Sequence, residues 1–137
     1  LSLHDALPIY DVYQGTGDIR LSHSNSYGLE EKDFTKFNTD FNGTVFEEIY
    51  KTFPYKIGRM RLMKMGPKKC YWLHNDPGLI RYHFAVVTNP GAFILYEKGN
   101  HYHIPADGCA YEMNANTNHT ALNSGREDRI HLVLNKL

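Results

Sequence analysis

An all-β core of the jelly-roll type, about eight strands with short N-terminal helices before them, is what this sequence predicts, on three observations. From residue 55 onward, short runs rich in β-branched and aromatic residues replace any longer period. Clusters of Gly, Pro, Asn and Asp separate those runs at regular intervals. Before residue 55 the chain is polar and turn-rich, with Gly15, Gly17, Ser22, Ser24, Ser26 and Gly28 interrupting any long repeat.

Two short helices are expected in the first half, over residues 29–37 and 45–53. In the second, Val45, Phe46, Ile49, Tyr50 and Phe53 recur at helical spacing, and Pro54 stops the run. The eight strand candidates are residues 57–65, 69–74, 80–88, 92–97, 101–104, 108–114, 118–122 and 129–135. Turns at Gly66-Pro67, Asp76-Pro77-Gly78, Asn89-Pro90-Gly91, Lys98-Gly99-Asn100, Pro105-Ala106-Asp107 and Asn123-Ser124-Gly125 separate them. Eight strands so punctuated fit two facing sheets, a double-stranded β-helix of the cupin-like kind.

A chain of 137 residues can bury one core. We expect a single domain over residues 11–137, its barrel spanning about residues 56–136, behind a truncated or foreign leader at 1–10. That leader has neither a charged start nor a small-residue cleavage site, so its His4 and Asp5 are set aside. Fifteen Lys and Arg balance fifteen Asp and Glu, leaving no field that would draw the chain to nucleic acid or anionic lipid. Apolar runs such as residues 92–96 are far shorter than the roughly 20 residues of a membrane span. Cys70 and Cys109 lack C-x-x-C spacing and read as buried free thiols of a reducing, cytoplasmic compartment.

The chemistry gathers around histidine. In an extended segment residues i and i+2 share a face, so His74 and Asp76 aim together where the second strand meets its turn. In an eight-stranded jelly roll the second and seventh strands are antiparallel neighbours, which brings His119, at the start of the seventh, to the end of the second. Two imidazoles and one carboxylate form a facial metal site that leaves three coordination positions open. Such a vacancy suits Fe(II), with two positions for a chelating 2-oxo acid and one for dioxygen, whereas a structural zinc site would be closed.

A chelated 2-oxoglutarate carries a second carboxylate, whose bidentate recognition favours arginine. Arg129, at the start of the eighth strand, is the candidate. Arg81 and His83 share a face of the third strand and are candidates to orient that cosubstrate or to receive a substrate carboxylate. His101 and His103 read as a solvated strand, His131 as packing beside Arg129, and Trp72 and the tyrosines as core and rim. Two other readings are a cupin-like isomerase or hydrolase that does not use 2-oxoglutarate, and a non-catalytic jelly-roll binding module. Dependence of turnover on Arg129 separates the first of these from an oxygenase.

The segment Arg59-Met60-Arg61-Leu62-Met63-Lys64-Met65 through His74-Asn75-Asp76-Pro77-Gly78, then Arg81-Tyr82-His83 and Thr88-Asn89-Pro90, resembles the aspartyl/asparaginyl β-hydroxylase family. Residues Asn118-His119-Thr120-Ala121-Leu122-Asn123-Ser124-Gly125 and Asp128-Arg129-Ile130-His131-Leu132-Val133 extend the resemblance over about residues 45–135. It implies hydroxylation at an unactivated carbon coupled to decarboxylation of 2-oxoglutarate to succinate. It also implies His74, Asp76 and His119 as iron ligands, Arg129 on the distal carboxylate, and Arg81 with His83 as a basic pair lining the site. Related halogenases carry a small residue in place of the carboxylate, so Asp76 implies hydroxylation. Family substrates are peptidyl Asp or Asn, free amino acids such as proline, or lipid acyl chains. The expected partner is therefore a small molecule or a peptide, with the choice among them and the oligomeric state left open.

Overall fold

The computed structural model describes residues 8–13, 33–34 and 36–137. Its strands are β1 (Pro8–Tyr13), β2 (Ile57–Met65), β3 (Lys69–Cys70), β4 (Ile80–Val87), β5 (Ala92–Tyr96), β6 (His101–Tyr102), β7 (Tyr111–Asn114), β8 (His119–Asn123) and β9 (Arg129–Lys136). One α-helix, α1 (Val45–Thr52), follows a 3-10 turn at Thr39–Phe41.

Two sheets face each other, a five-stranded one ordered β1-β2-β9-β4-β7 and a four-stranded one ordered β3-β8-β5-β6. Among the described residues the strand pairings are antiparallel, with β9 between β2 and β4 and β8 between β3 and β5. This is the jelly roll expected from the sequence. Each of the eight anticipated segments contributes a strand, and β1 is an addition that pairs with β2 from Pro8 onward. The anticipated helix over 29–37 falls largely outside the described residues, and Phe37 within it sits in a β-bridge.

Alternation along β9 shows how the sequence divides its labour. Leu132 and Leu134 turn outward and pack with Ile57, Met60, Tyr82 and Phe34. Phe46, Ile49 and Tyr50 of α1, with Phe53 beyond it, close over that layer. The helix begins with Glu47 and Glu48 in its first turn, which suits the positive end of its dipole. It ends where the Phe53 amide donates to Ile49 O at 2.9 Å, since Pro54 has no N–H to continue. A second apolar cluster, Met65, Ala85, Ile94, Ile104, Met113, Ala115 and Ala121, lies between the sheets.

At the end of β8 away from His119, a knot of amides ties the barrel floor. Fully buried Asn123 donates from Nδ2 to Met65 O at 3.1 Å, Gly66 O at 3.1 Å and Glu127 O at 2.7 Å. Its Oδ1 accepts from Asn89 Nδ2 and from the Gly125 amide, both at 3.1 Å.

Two local expectations are corrected. Cys70 is only half-buried, and Cys109 is exposed because β7 begins at Tyr111, after the turn that Asp107 stabilises through the Cys109 amide. The second strand also ends at Cys70; past it the Tyr71 amide still donates to Ala121 O at 3.0 Å, and an isolated bridge follows at His74.

Candidate metal centre and anion pocket

The isolated bridge builds the site. The His74 amide donates to His119 O at 3.0 Å, and the His119 amide donates back to His74 O at 2.8 Å. This pair sets the two imidazoles side by side, with ring centroids 4.6 Å apart. Two residues on, the Asp76 amide donates to Ala115 O at 2.8 Å, which turns its carboxylate to the same side. Ligand atoms of His74, Asp76 and His119 all lie within 4.8 Å of one another.

Tautomers follow from the neighbours. His74 Nδ1 lies 2.7 Å from Trp72 O, and His119 Nδ1 lies 2.8 Å from Thr117 O. A carbonyl can only accept, so each Nδ1 carries the proton and each Nε2 offers its lone pair. Backbone carbonyls commonly orient metal-binding histidines in this way. Burial holds the His119 pKa below its ordinary value, partly opposed by the Thr117 carbonyl, which keeps the ring neutral and available to a cation.

Two nitrogens and one oxygen fit a first-row divalent metal with open positions. His74 Nε2 and Asp76 Oδ2 stand 4.0 Å apart, about 1 Å wider than adjacent ligands at ~2.1 Å from one ion. Arg81 Nη2 lies 2.8 Å from the same Asp76 Oδ2, so the oxygen that faces His74 is also ion-paired.

The trio lines one end of a cavity of about 210 Å³ that also takes in Arg61, Tyr71, Arg81, His83 and Arg129. That size is below the range of drug-sized pockets and suits a small acid. Three guanidinium groups face one carboxylate there, so the cavity favours anions. Arg129 is 3% exposed, and although burial lowers its pKa to about 10 it stays charged at neutral pH. Its Nη2 lies 2.9 Å from His131 Nδ1, and His83 Nδ1 lies 3.3 Å from the same atom. Burial foremost, then Arg129, His131, Arg81 and Arg61, holds the His83 pKa well below its ordinary value. Its Nε2 is buried without a hydrogen-bond partner among the described residues.

All six sequence candidates, His74, Asp76, Arg81, His83, His119 and Arg129, therefore line one cavity. Arg81 and His83 are not the solvent-facing pair that strand ends commonly carry, since both turn inward. Arg61 and Tyr71 also line it without having been singled out. The signal for Arg61 was alternation in β2, where Arg61, Met63 and Met65 share the inner face. His101 and His103 are exposed, as a solvated strand requires, although His103 Nδ1 reaches Ala92 O at 2.9 Å. Trp72 sits on the rim, 64% exposed.

Fold and site together define a jelly-roll protein with a candidate two-histidine, one-carboxylate metal centre opening on an anion pocket. A sequence model of the aspartyl/asparaginyl beta-hydroxylase family matches residues 31–136, and the chain belongs to that family. No curated protein sequence matches it. Among solved structures, a predicted oxalate decarboxylase from Thermotoga maritima is similar at 21% identity and a TM-score of 0.47, over 66% of this chain and 72% of that one. A cupin domain from Bordetella pertussis is similar at 10% identity and a TM-score of 0.48, over 63% of this chain and 88% of that one. No helix of the described residues is long and apolar enough to cross a membrane.

Proposed function

We propose that this single domain is an Fe(II)- and 2-oxoglutarate-dependent hydroxylase acting on an amino-acid or peptidyl substrate. One observation carries the reading: a buried, anchored guanidinium, Arg129, shares a small cavity with a three-donor metal face. A metal site alone would suit many reactions. The deep cation adds a fixed place for the far end of a dicarboxylate whose near end reaches the metal.

His74, Asp76 and His119 would hold the iron, leaving its remaining positions toward the cavity. Iron(II) bound there with 2-oxoglutarate would supply, from dioxygen, the oxidising power for C–H hydroxylation with release of succinate and CO2. Arg129 orients the distal carboxylate of the cosubstrate, and His83 lines the same space. Arg81 holds Asp76 in its aim and places a second positive charge at the metal end. Tyr71, Met113, Ile94 and Ala121 exclude bulk water from the walls.

Anaerobic addition of Fe(II) and 2-oxoglutarate should produce a weak visible charge-transfer band that is absent in His74→Ala. A band that survives this substitution sinks the assignment. A succinate-release screen over free amino acids and Asp- or Asn-containing peptides then identifies the substrate.

A further inference from the structure

The floor of the anion pocket holds an arrangement that sequence reading treats as mere packing. Two groups converge on one nitrogen: Arg129 Nη2 at 2.9 Å and His83 Nδ1 at 3.3 Å, both from His131 Nδ1. A guanidinium can only donate, so His131 Nδ1 must accept. His131 is 2% exposed and His83 6%, and no solvent competes for these bonds.

The consequence falls on His83. The one His131 lone pair is shared between the two, so His83 at 3.3 Å meets an acceptor only with its proton on Nδ1. Its Nε2 then carries a lone pair that is buried and without a partner among the described residues, on a side chain that lines the cavity. An entering carboxylate would meet lone pair against lone pair. Moving the proton to Nε2 would instead set two Nδ1 lone pairs against each other at 3.3 Å. Protonating Nε2 while keeping Nδ1–H satisfies both contacts.

We propose that His131 is the positioning residue of the anion pocket, its neutral Nδ1 fixing both the Arg129 guanidinium and the His83 proton, so that binding a dicarboxylate takes up one proton at His83 Nε2. The charged groups facing His83 agree with this. Burial foremost, then Arg129 and neutral His131 on β9, Arg81 on its own strand and Arg61 on β2, keeps His83 neutral in the empty pocket. Tyr111, opposite His83 on β7, is engaged by Asp107 at 2.6 Å. A dianion offsets the guanidinium charges and so raises the stability of the imidazolium relative to the empty pocket.

The inference rests on the 2-oxoglutarate reading and is tested by calorimetric titration of 2-oxoglutarate into the anaerobic Fe(II)-loaded protein at pH 7. Both ligand carboxyls are already ionised at that pH. The expected result is a buffer-dependent heat corresponding to about one proton taken up per ligand, falling to near zero in His83→Asn. His131→Leu should bind at least about tenfold more weakly, because a hydrogen bond to a charged group is lost. His131→Asn, whose Oδ1 can replace Nδ1 as acceptor, should recover most of that loss. Binding without proton uptake, or undiminished affinity in His131→Leu, overturns the inference and leaves the cosubstrate reading intact. Failure of the wild type to bind 2-oxoglutarate overturns both.

Discussion

His74 and His119 exchange both backbone hydrogen bonds across an isolated bridge, at 3.0 and 2.8 Å, and no longer strand joins them. The candidate metal face is therefore held by two residues and the turn after them rather than by a continuous ladder. Removing either imidazole should abolish metal binding without unfolding the barrel. For His74→Ala we expect Fe(II) affinity to fall by more than about 100-fold, since loss of an outer hydrogen bond alone costs 10- to 100-fold. Anaerobic competition titration checks the affinity, and a thermal midpoint close to wild type checks the fold.

Arg129 tests the cosubstrate separately from the metal. In Arg129→Ala the KM for 2-oxoglutarate should rise by about 100-fold or more, as expected when one member of a buried charge pair is lost. Arg129→Lys keeps the charge but not the planar fork, and should recover only part of the loss. Fe(II) binding without 2-oxoglutarate should be little changed in both. Equal turnover by Arg129→Ala and the wild type would favour a metal enzyme that does not use 2-oxoglutarate.

Acid should unfold this protein early, because its deepest histidine is buried neutral. The His131 pKa is pushed down to about 2, chiefly by burial and then by Arg129 and His103. In the unfolded chain it returns to roughly 6.5. Between these values the unfolded state binds the extra proton, so stability is full above about pH 6.5 and falls as pH decreases. At pH 5 His131 alone should cost about 2 kcal/mol relative to pH 7. Denaturant unfolding at the two pH values measures this, and His131→Asn should flatten the dependence.

The convergence of His74, Asp76 and His119 was legible in the sequence because β-strand geometry is simple. Period-two alternation put His74 and Asp76 on one side, and the strand order of a jelly roll brought His119 to them without any local motif. Arg129 followed from the charge of a dicarboxylate. The sharing of one acceptor by Arg129 and His83 was not legible, because it depends on side-chain reach across β4 and β9 and on exclusion of water. Cys109 was misplaced for a different reason. Its flanking residues have strand character, but Asp107 caps the turn and delays β7 to Tyr111. The early strand β1 was missed because residues 1–10 read as a leader, although Ile9, Tyr10, Val12 and Tyr13 have strand propensity.

The barrel floor offers a prediction independent of any ligand. Asn123 satisfies three carbonyls and accepts from two donors, so Asn123→Ala strands several buried groups at once. A loss of about 2–4 kcal/mol is expected. Gly91→Ala should be comparably harmful, because a Cβ there would meet the Gly125 backbone nitrogen at 2.5 Å, and backbone cannot swing aside. Equilibrium unfolding of each variant against wild type provides the comparison.

The outward layer formed by Leu132, Leu134, Met60, Tyr82 and Phe34 has a wider consequence. Much of the cohesion of the large sheet comes from the face that never touches the pocket, while the opposite faces of the same strands carry arginine and histidine. The two faces of a strand can therefore change independently. Residues such as Arg61, Met63 and Val133 can be exchanged to suit a different acid while α1 and its apolar partners keep the strands in register. The same backbone can in this way host new specificities without first having to be stabilised.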